Sequence, residues 1–273
     1  MSRKKTSDTS TKRSKKPSDL GQNRTGIAMS PADARLTIDG AIAGSPAPVD
    51  DPPDYAAVKL EYSAEAGPVG SMPPPATLKG VARTAVDLVK GDKSTVLIDK
   101  IAERLAFERG GTRLYEALLV KFDAADPHEG GPTRDELEEI RDDEARHFGM
   151  LVKALQDLGA DPTAMTPGAN LVTVMSSGLM QVLNDPRTTL TQGLEAIHVA
   201  ELADNDCWDA LIGLAADLGK DELMKPFTEA RDEERDHLLK VRTWLSLAVR
   251  GQAGVSDADT AARDDAAASA PIH

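Results

Sequence analysis

The segments "DDEARHF" (142–148) and "DEERDHL" (232–238) each set a glutamate three residues before a histidine. The pairs are Glu144 with His147 and, ninety residues later, Glu234 with His237. Residues three apart lie on one face of a helix, so each pair presents an acid and an imidazole in the same direction. Both pairs also interrupt apolar stripes. Glu144 and His147 fall between Ile140 and Leu151, and Glu234 and His237 between Phe227 and Val241. A chain built this way must either leave two helices half-packed or bring both polar pairs together in its interior.

The surrounding pattern predicts four long helices. The first starts near Ser94 and carries Leu97, Ile101, Leu105, Thr112, Tyr115 and Leu119, on three- and four-residue steps that pass through Glu108. Thr133 with Glu136 has the spacing of a capping box and opens a second helix, which stops near Gly159 before Asp161-Pro162. Residues 159–189 form a long connection, with a short helix expected at 169–183. A third helix runs from about Leu190 to Leu218. After "GKD" (219–221) a fourth fades by Gly251. A further amphipathic segment is expected at 77–90.

The two halves correspond. "FERGGTRLYEALL" (107–119) lies over "AELADNDCWDALI" (200–212), which sets Glu108 on Glu201 and Tyr115 on Trp208. The expected fold is all-α: a four-helix bundle of two pseudo-symmetric hairpins joined by one long crossover. Each helix then delivers polar groups to the axis: Glu108, Glu144 with His147, Glu201, and Glu234 with His237. Four carboxylates in a water-poor core need compensation, because two unit charges ~4 Å apart repel by roughly 4 kcal/mol at an effective dielectric of about 20. Two divalent cations would balance them, and oxygen ligands with two imidazoles and no thiolate suit iron or manganese. A third pair, Glu195 with His198, places His198 one turn before Glu201 as a ligand or neighbour of the site. Its counterparts in the first half, Ala102 and Leu105, are apolar.

Composition bounds the rest. The chain has 273 residues and a net charge of −13. Residues 1–24 carry eight Lys/Arg against two acids and read as a basic disordered tail. Residues 25–76 hold nine prolines and read as a Pro-rich linker. The packed domain is expected at 77–250, and 251–273, rich in Ala and Asp, as a second disordered tail. The single cysteine, Cys207, rules out an internal disulfide framework and any four-cysteine metal site. No apolar run is long enough for a membrane span, and the N-terminus lacks the apolar core of a secretory signal, so a cytoplasmic protein is expected.

At these residues the chain resembles the ferritin-like superfamily, which includes ferritins, bacterioferritins and rubrerythrins. Its pattern is a Glu on the first helix, Glu-x-x-His on the second, and the same elements on the third and fourth. Glu108, Glu144, His147, Glu201, Glu234 and His237 match it over about residues 94–250. The resemblance implies two iron ions, or manganese, bridged by Glu144 and Glu234, with Glu108 and Glu201 terminal and one His on each ion. It implies reaction with O2 or H2O2, as a ferroxidase or peroxidase in iron or oxidative-stress handling, and a homo-oligomer is compatible with it. Tyr115, seven residues after Glu108, matches a tyrosine beside the metals in many members and is the candidate catalytic residue. One cysteine cannot build the rubredoxin-type site of rubrerythrins, so the electron donor would be external. Two other readings remain: a DNA-associated protective protein that uses the tail 1–24 for weak nucleic-acid contact, and a metal-free helical interaction scaffold.

Overall fold

The computed structural model describes residues 31–44, 54–67, 69–77, 80, 94–125 and 129–255. Over these the chain is all-helical, with no strand. Seven helices are described: α1 (Pro31–Gly44), α2 (Asp54–Glu65), α3 (Ser94–Ala124), α4 (Arg134–Leu158), α5 (Pro167–Asn184), α6 (Leu190–Asp217) and α7 (Asp221–Gln252). The basic tail 1–24, most of the expected segment 77–90 and residues 256–273 lie outside the described residues. No described helix is long and apolar enough to cross a membrane.

The chain divides into two units, residues 1–66 and 67–273. The first holds α1 and α2, both inside the stretch read as a Pro-rich linker. Proline does not prevent them, because Pro31 takes the first position of α1 and the other prolines fall outside both helices. Their apolar side chains Leu36, Ile42 and Leu60 are exposed.

The second unit is built on α3 to α7, and the sequence supplies the stops. Thr133 caps α4 in a complete capping box with Glu136, and Gly159 ends it at φ 82°, a left-handed conformation that favours glycine. Thr166 caps α5, with Pro167 in its first turn. Thr189 and Gln192 make a second capping box at the start of α6. Helix α3 packs against α4, α5 and α6, while α7 packs against α6 and α4. The hairpin pairings α3–α4 and α6–α7 are antiparallel. Arg134 at the start of α4 meets Asp123 near the end of α3. Gln252 at the end of α7 meets Thr191 at the start of α6.

The core has three levels. One apolar cluster joins Tyr115, Leu118, Ile140, Leu194, Ile197 and Val241. Another joins Leu97, Ile101, Leu151, Leu155, Trp208 and Phe227. Along every long helix the polar residues of the site fall between the two. Each large apolar side chain buried here stabilises the fold by about 1.5–3 kcal/mol, and together the clusters hold a polar layer that could not persist alone.

Candidate metal centre

Glu108, Glu144, His147, Glu201, Glu234 and His237 are all buried, none more than 2% exposed. They come together as the spacing predicted. Ligand-type atoms of Glu144, Glu201, Glu234 and His237 lie within 4.8 Å of one another, and so do those of Glu108, His147 and Glu234. A third set joins Glu108, Glu144 and Glu234 to Asp204. Glu234 belongs to all three groups, Glu108 and Glu144 to two each, and each histidine to one.

The imidazoles are aimed by carboxylates on both sides. His147 Nδ1 lies 2.7 Å from Glu234 Oε1 and 3.5 Å from Glu108 Oε2. Its Nε2 lies 2.7 Å from Oε2 of Glu233. His237 repeats the arrangement, with Nδ1 3.2 Å from Glu234 Oε2 and Nε2 3.2 Å from Asp143 Oδ2. Asp143 on α4 thus serves the histidine of α7, and Glu233 on α7 serves that of α4. Arg146 joins the two outer acids, 2.8 Å from Glu233 and also bonded to Asp143. Partial burial opposes ionisation of Asp143 and Glu233, but hydrogen bonds with His237, His147 and Arg146 hold both below the usual carboxylate range. In a metal site this is the arrangement that fixes tautomer and ring angle: the outer nitrogen is held by a carboxylate and the inner one faces the ion.

Two further residues enter from outside the repeat pattern. Arg104, one turn before Glu108, is buried, with Nε 3.0 Å from Glu108 Oε1 and Nη1 2.6 Å from Asp204 Oδ1. Its guanidinium lies 4.2 Å from the centre of the Phe107 ring. Asn205 donates to the backbone carbonyls of Glu201 and Glu234, both at 3.0 Å, and so ties α6 to α7 at the level of two candidate ligands. Each shares a helix face with a candidate ligand: Arg104 stands four before Glu108, and Asp204 and Asn205 stand three and four after Glu201. Gly111 makes room for the cluster: a Cβ there would lie 2.6 Å from the carboxyl carbon of Glu144.

Tyr115 is buried, and its hydroxyl donates to Glu201 Oε1, from α3 to α6. Burial and the neighbouring Glu201 push its pKa well up, so the phenol stays protonated. Trp208, its counterpart in the repeat, packs edge-on to His147 at 6.0 Å between ring centres and against Phe227 at 5.6 Å. His198 does not join the cluster. It is half-buried, and burial together with the charge of Arg242 lowers its pKa.

The electrostatics show what the layer lacks. Five buried carboxylates (Glu108, Glu144, Glu201, Asp204, Glu234) face one buried guanidinium, so full ionisation leaves −4. Burial pushes the Glu144 and Asp204 carboxyls well up and Glu201 up to about 8. Burial alone would make both histidines less basic, but their carboxylate partners raise them to about 10. Hydrogen bonds from the two histidines overcome burial at Glu234 and keep it ionised. Protons thus carry part of the compensation when no cation is bound. Two inward atoms, Oε2 of Glu144 and Oε2 of Glu201, have no hydrogen-bond partner, while the oxygens of Glu108, Oε1 of Glu234 and Nδ1 of His147 have only one another and Arg104 within ion-pair reach. Buried lone pairs of this kind are costly unless something accepts them, and a pair of divalent cations fits the donor set, its orientation and its charge.

No protein-family model matches the chain, and neither a curated protein nor a solved structure matches it.

Proposed function

We propose that the chain is a dinuclear metal carboxylate protein of the ferritin-like kind. In this reading α3–α4 and α6–α7 are the two pseudo-symmetric hairpins of a four-helix bundle, and α5 lies in the crossover. Glu234, common to all three ligand groups, and Glu144, its counterpart in the repeat, would be the carboxylates shared between the two ions. Glu108 with His147, and Glu201 with His237, suit one terminal position each. Arg104 answers the charge of Asp204, which leaves four carboxylates for two divalent ions. Iron or manganese suits oxygen and imidazole donors.

The observation that carries this reading is the convergence of four buried glutamates and two imidazoles, with Oε2 of Glu144 and of Glu201 unpartnered, in a layer closed on both sides by apolar residues. Such a pair of ions, when bound, supplies one electron per ion. The protein's part is to orient and to manage protons. Outer carboxylates hold the imidazole planes, the apolar clusters exclude water, and Tyr115 keeps a proton at Glu201 Oε1. Reduction of H2O2 to two waters takes two electrons and two protons, and a neutral phenol beside a buried carboxylate is placed to hold one of those protons. The oxidant is O2 or H2O2, the electrons come from an external donor, which in a ferroxidase is the incoming ferrous iron, and iron or peroxide handling is the role.

Metal analysis of the purified full chain tests this, with about two iron or manganese ions per chain expected. Anaerobic titration of chelated protein with ferrous iron should break at the same ratio, and Glu144→Ala and Glu234→Ala should lose both ions. A melting temperature indifferent to chelator and to added iron, with no metal retained, would instead support the metal-free scaffold.

A further inference from the structure

A groove of about 280 Å³ lies between α3 and α5, with Arg109 and Arg113 on one side and Thr173, Ser176 and Ser177 on the other. Both arginines are exposed, and among the described residues neither has an acid within ion-pair distance. Elsewhere Arg104, Arg134, Arg146 and Arg231 each meet two carboxylates. The reason lies across the groove. Helix α5 holds no charged residue in its 18 positions, although charged residues make up 28% of the chain.

The α3 side is built against local preference. Two cations one helical turn apart repel each other. Gly110, between them, weakens the helix relative to alanine, yet a Cβ there would meet nothing within 4 Å, so packing does not require the glycine. Unanswered like charges and a glycine that no close approach explains stand at one groove, and departures of this kind gather at functional sites.

Charge selects the guest. Two guanidiniums offer +2 in a geometry that suits phosphoryl oxygens. A carboxylate or a phosphodiester brings −1, whereas a phosphomonoester, with a second pKa of about 6, brings close to −2 at neutral pH. A nucleic acid would add a long run of negative charge to a chain already at −13. The hydroxyls can help: Thr173 donates to the Ala169 carbonyl at 2.7 Å, Ser176 to Val172 at 2.8 Å and Ser177 to Val174 at 2.8 Å. Those carbonyls also accept from the helix ladder, so a hydroxyl can turn its proton to a ligand without orphaning them. The volume equals about nine waters, more than a phosphoryl group fills, and Ala106, Leu114 and Met180 line the apolar remainder. We propose that this groove binds a small organic phosphomonoester, its dianionic head between Arg109 and Arg113 and its apolar group against Leu114 and Met180.

Calorimetric titration of the full chain as purified tests this, with phenyl phosphate as the probe at about pH 7.5, where the head is a dianion. One equivalent should bind. Inorganic phosphate, which lacks the apolar group, and methyl phenyl phosphate, which carries a single charge, should bind about tenfold more weakly. Arg109→Gln and Arg113→Gln should each weaken phenyl phosphate by about 10–100-fold. Arg113→Glu gives Arg109 an acid one turn away, and Gly110→Leu fills the groove while favouring the helix. Both should abolish binding while the melting temperature holds or rises, which separates a ligand site from a structural role. No binding, equal affinity for inorganic phosphate or for methyl phenyl phosphate, or binding that survives Arg109→Gln with Arg113→Gln would overturn the proposal. The last result would place the anion elsewhere, on the metals included. None of the variants replaces a candidate ligand, so metal content per chain is read separately, and the dinuclear reading can fail while this one stands, and the reverse.

Discussion

His147 on α4 and Glu233 on α7 meet with Nε2 and Oε2 2.7 Å apart, and the residue next to Glu233, Glu234, reaches Nδ1 of the same ring. One imidazole is thus gripped from both sides by consecutive residues of the opposite helix. If the inner nitrogen is a ligand, the outer acid sets its tautomer. Glu233→Gln should then weaken metal binding by about 10–100-fold. Because Glu233 is partly exposed, the metal-free melting temperature should hardly move. Competition with a chromogenic chelator, beside a melt of the chelated protein, separates the two effects.

Gly111 tests how tightly the cluster is fitted. A methyl group there meets the carboxyl end of Glu144 rather than any backbone atom, so the side chain must swing away. Gly111→Ala is helix-favouring by about 1 kcal/mol on propensity alone. The variant is therefore expected to be folded in its metal-free form yet to bind fewer than two ions, read as metal per chain against melting temperature.

The Arg104–Asp204 pair is buried in the site, with both side chains no more than 2% exposed. Removing one partner strands a charge, so Arg104→Met should cost about 3–5 kcal/mol in the metal-free protein. Arg104→Met with Asp204→Leu should recover part of that loss, because Asp204 is then not left without its partner while Glu108 still is. A double-mutant cycle by urea denaturation measures the coupling.

Stability of the metal-free protein should fall as pH rises. Burial lifts Glu201 from 4.5 to about 8, so across that window the folded state holds a proton the unfolded chain has released. The carboxylate partners of His147 and His237 outweigh burial and lift both from 6.5 to about 10, so their stabilisation is complete below 6.5 and lost as pH climbs through 10. Both effects have the same sign, and the melting temperature should decline from about pH 5 to pH 9. Metal-loaded protein should show the opposite slope at the acid end of that range, because ions require deprotonated ligands. Calorimetry at several pH values, with and without iron, reads both trends.

What the sequence disclosed and what it hid follow from the range of the interactions. The Thr133–Glu136 cap, the stop at Gly159 and the limits of α6 are local, set by side chains three or four residues from the groups they serve, and all were readable. The six candidate ligands were readable because they repeat. Arg104 and Asp204 were not, because the same repeat hides them: their counterparts, Ile197 and Gly111, are an apolar residue and a residue without a side chain. Asp143 and Glu233 sit in plain view beside the ligand glutamates, but their partners lie on another helix, and adjacent helical residues point in different directions. His198 shows the converse: it shares a helix face with Glu201 yet stays half-buried and outside the cluster, in keeping with its apolar counterpart Leu105 in the first half. In the region read as a linker, the proline count concealed two helices that hold no proline beyond Pro31 at the first position of α1.

Asn205 spans α6 and α7 with a single amide, fastened to the main chain at Glu201 and at Glu234. Those two anchor points cannot drift apart without breaking it, so this half of the chamber has a fixed gauge. Any accommodation of a larger or smaller guest must come from the opposite wall, where Glu108 and Glu144 stand on α3 and α4.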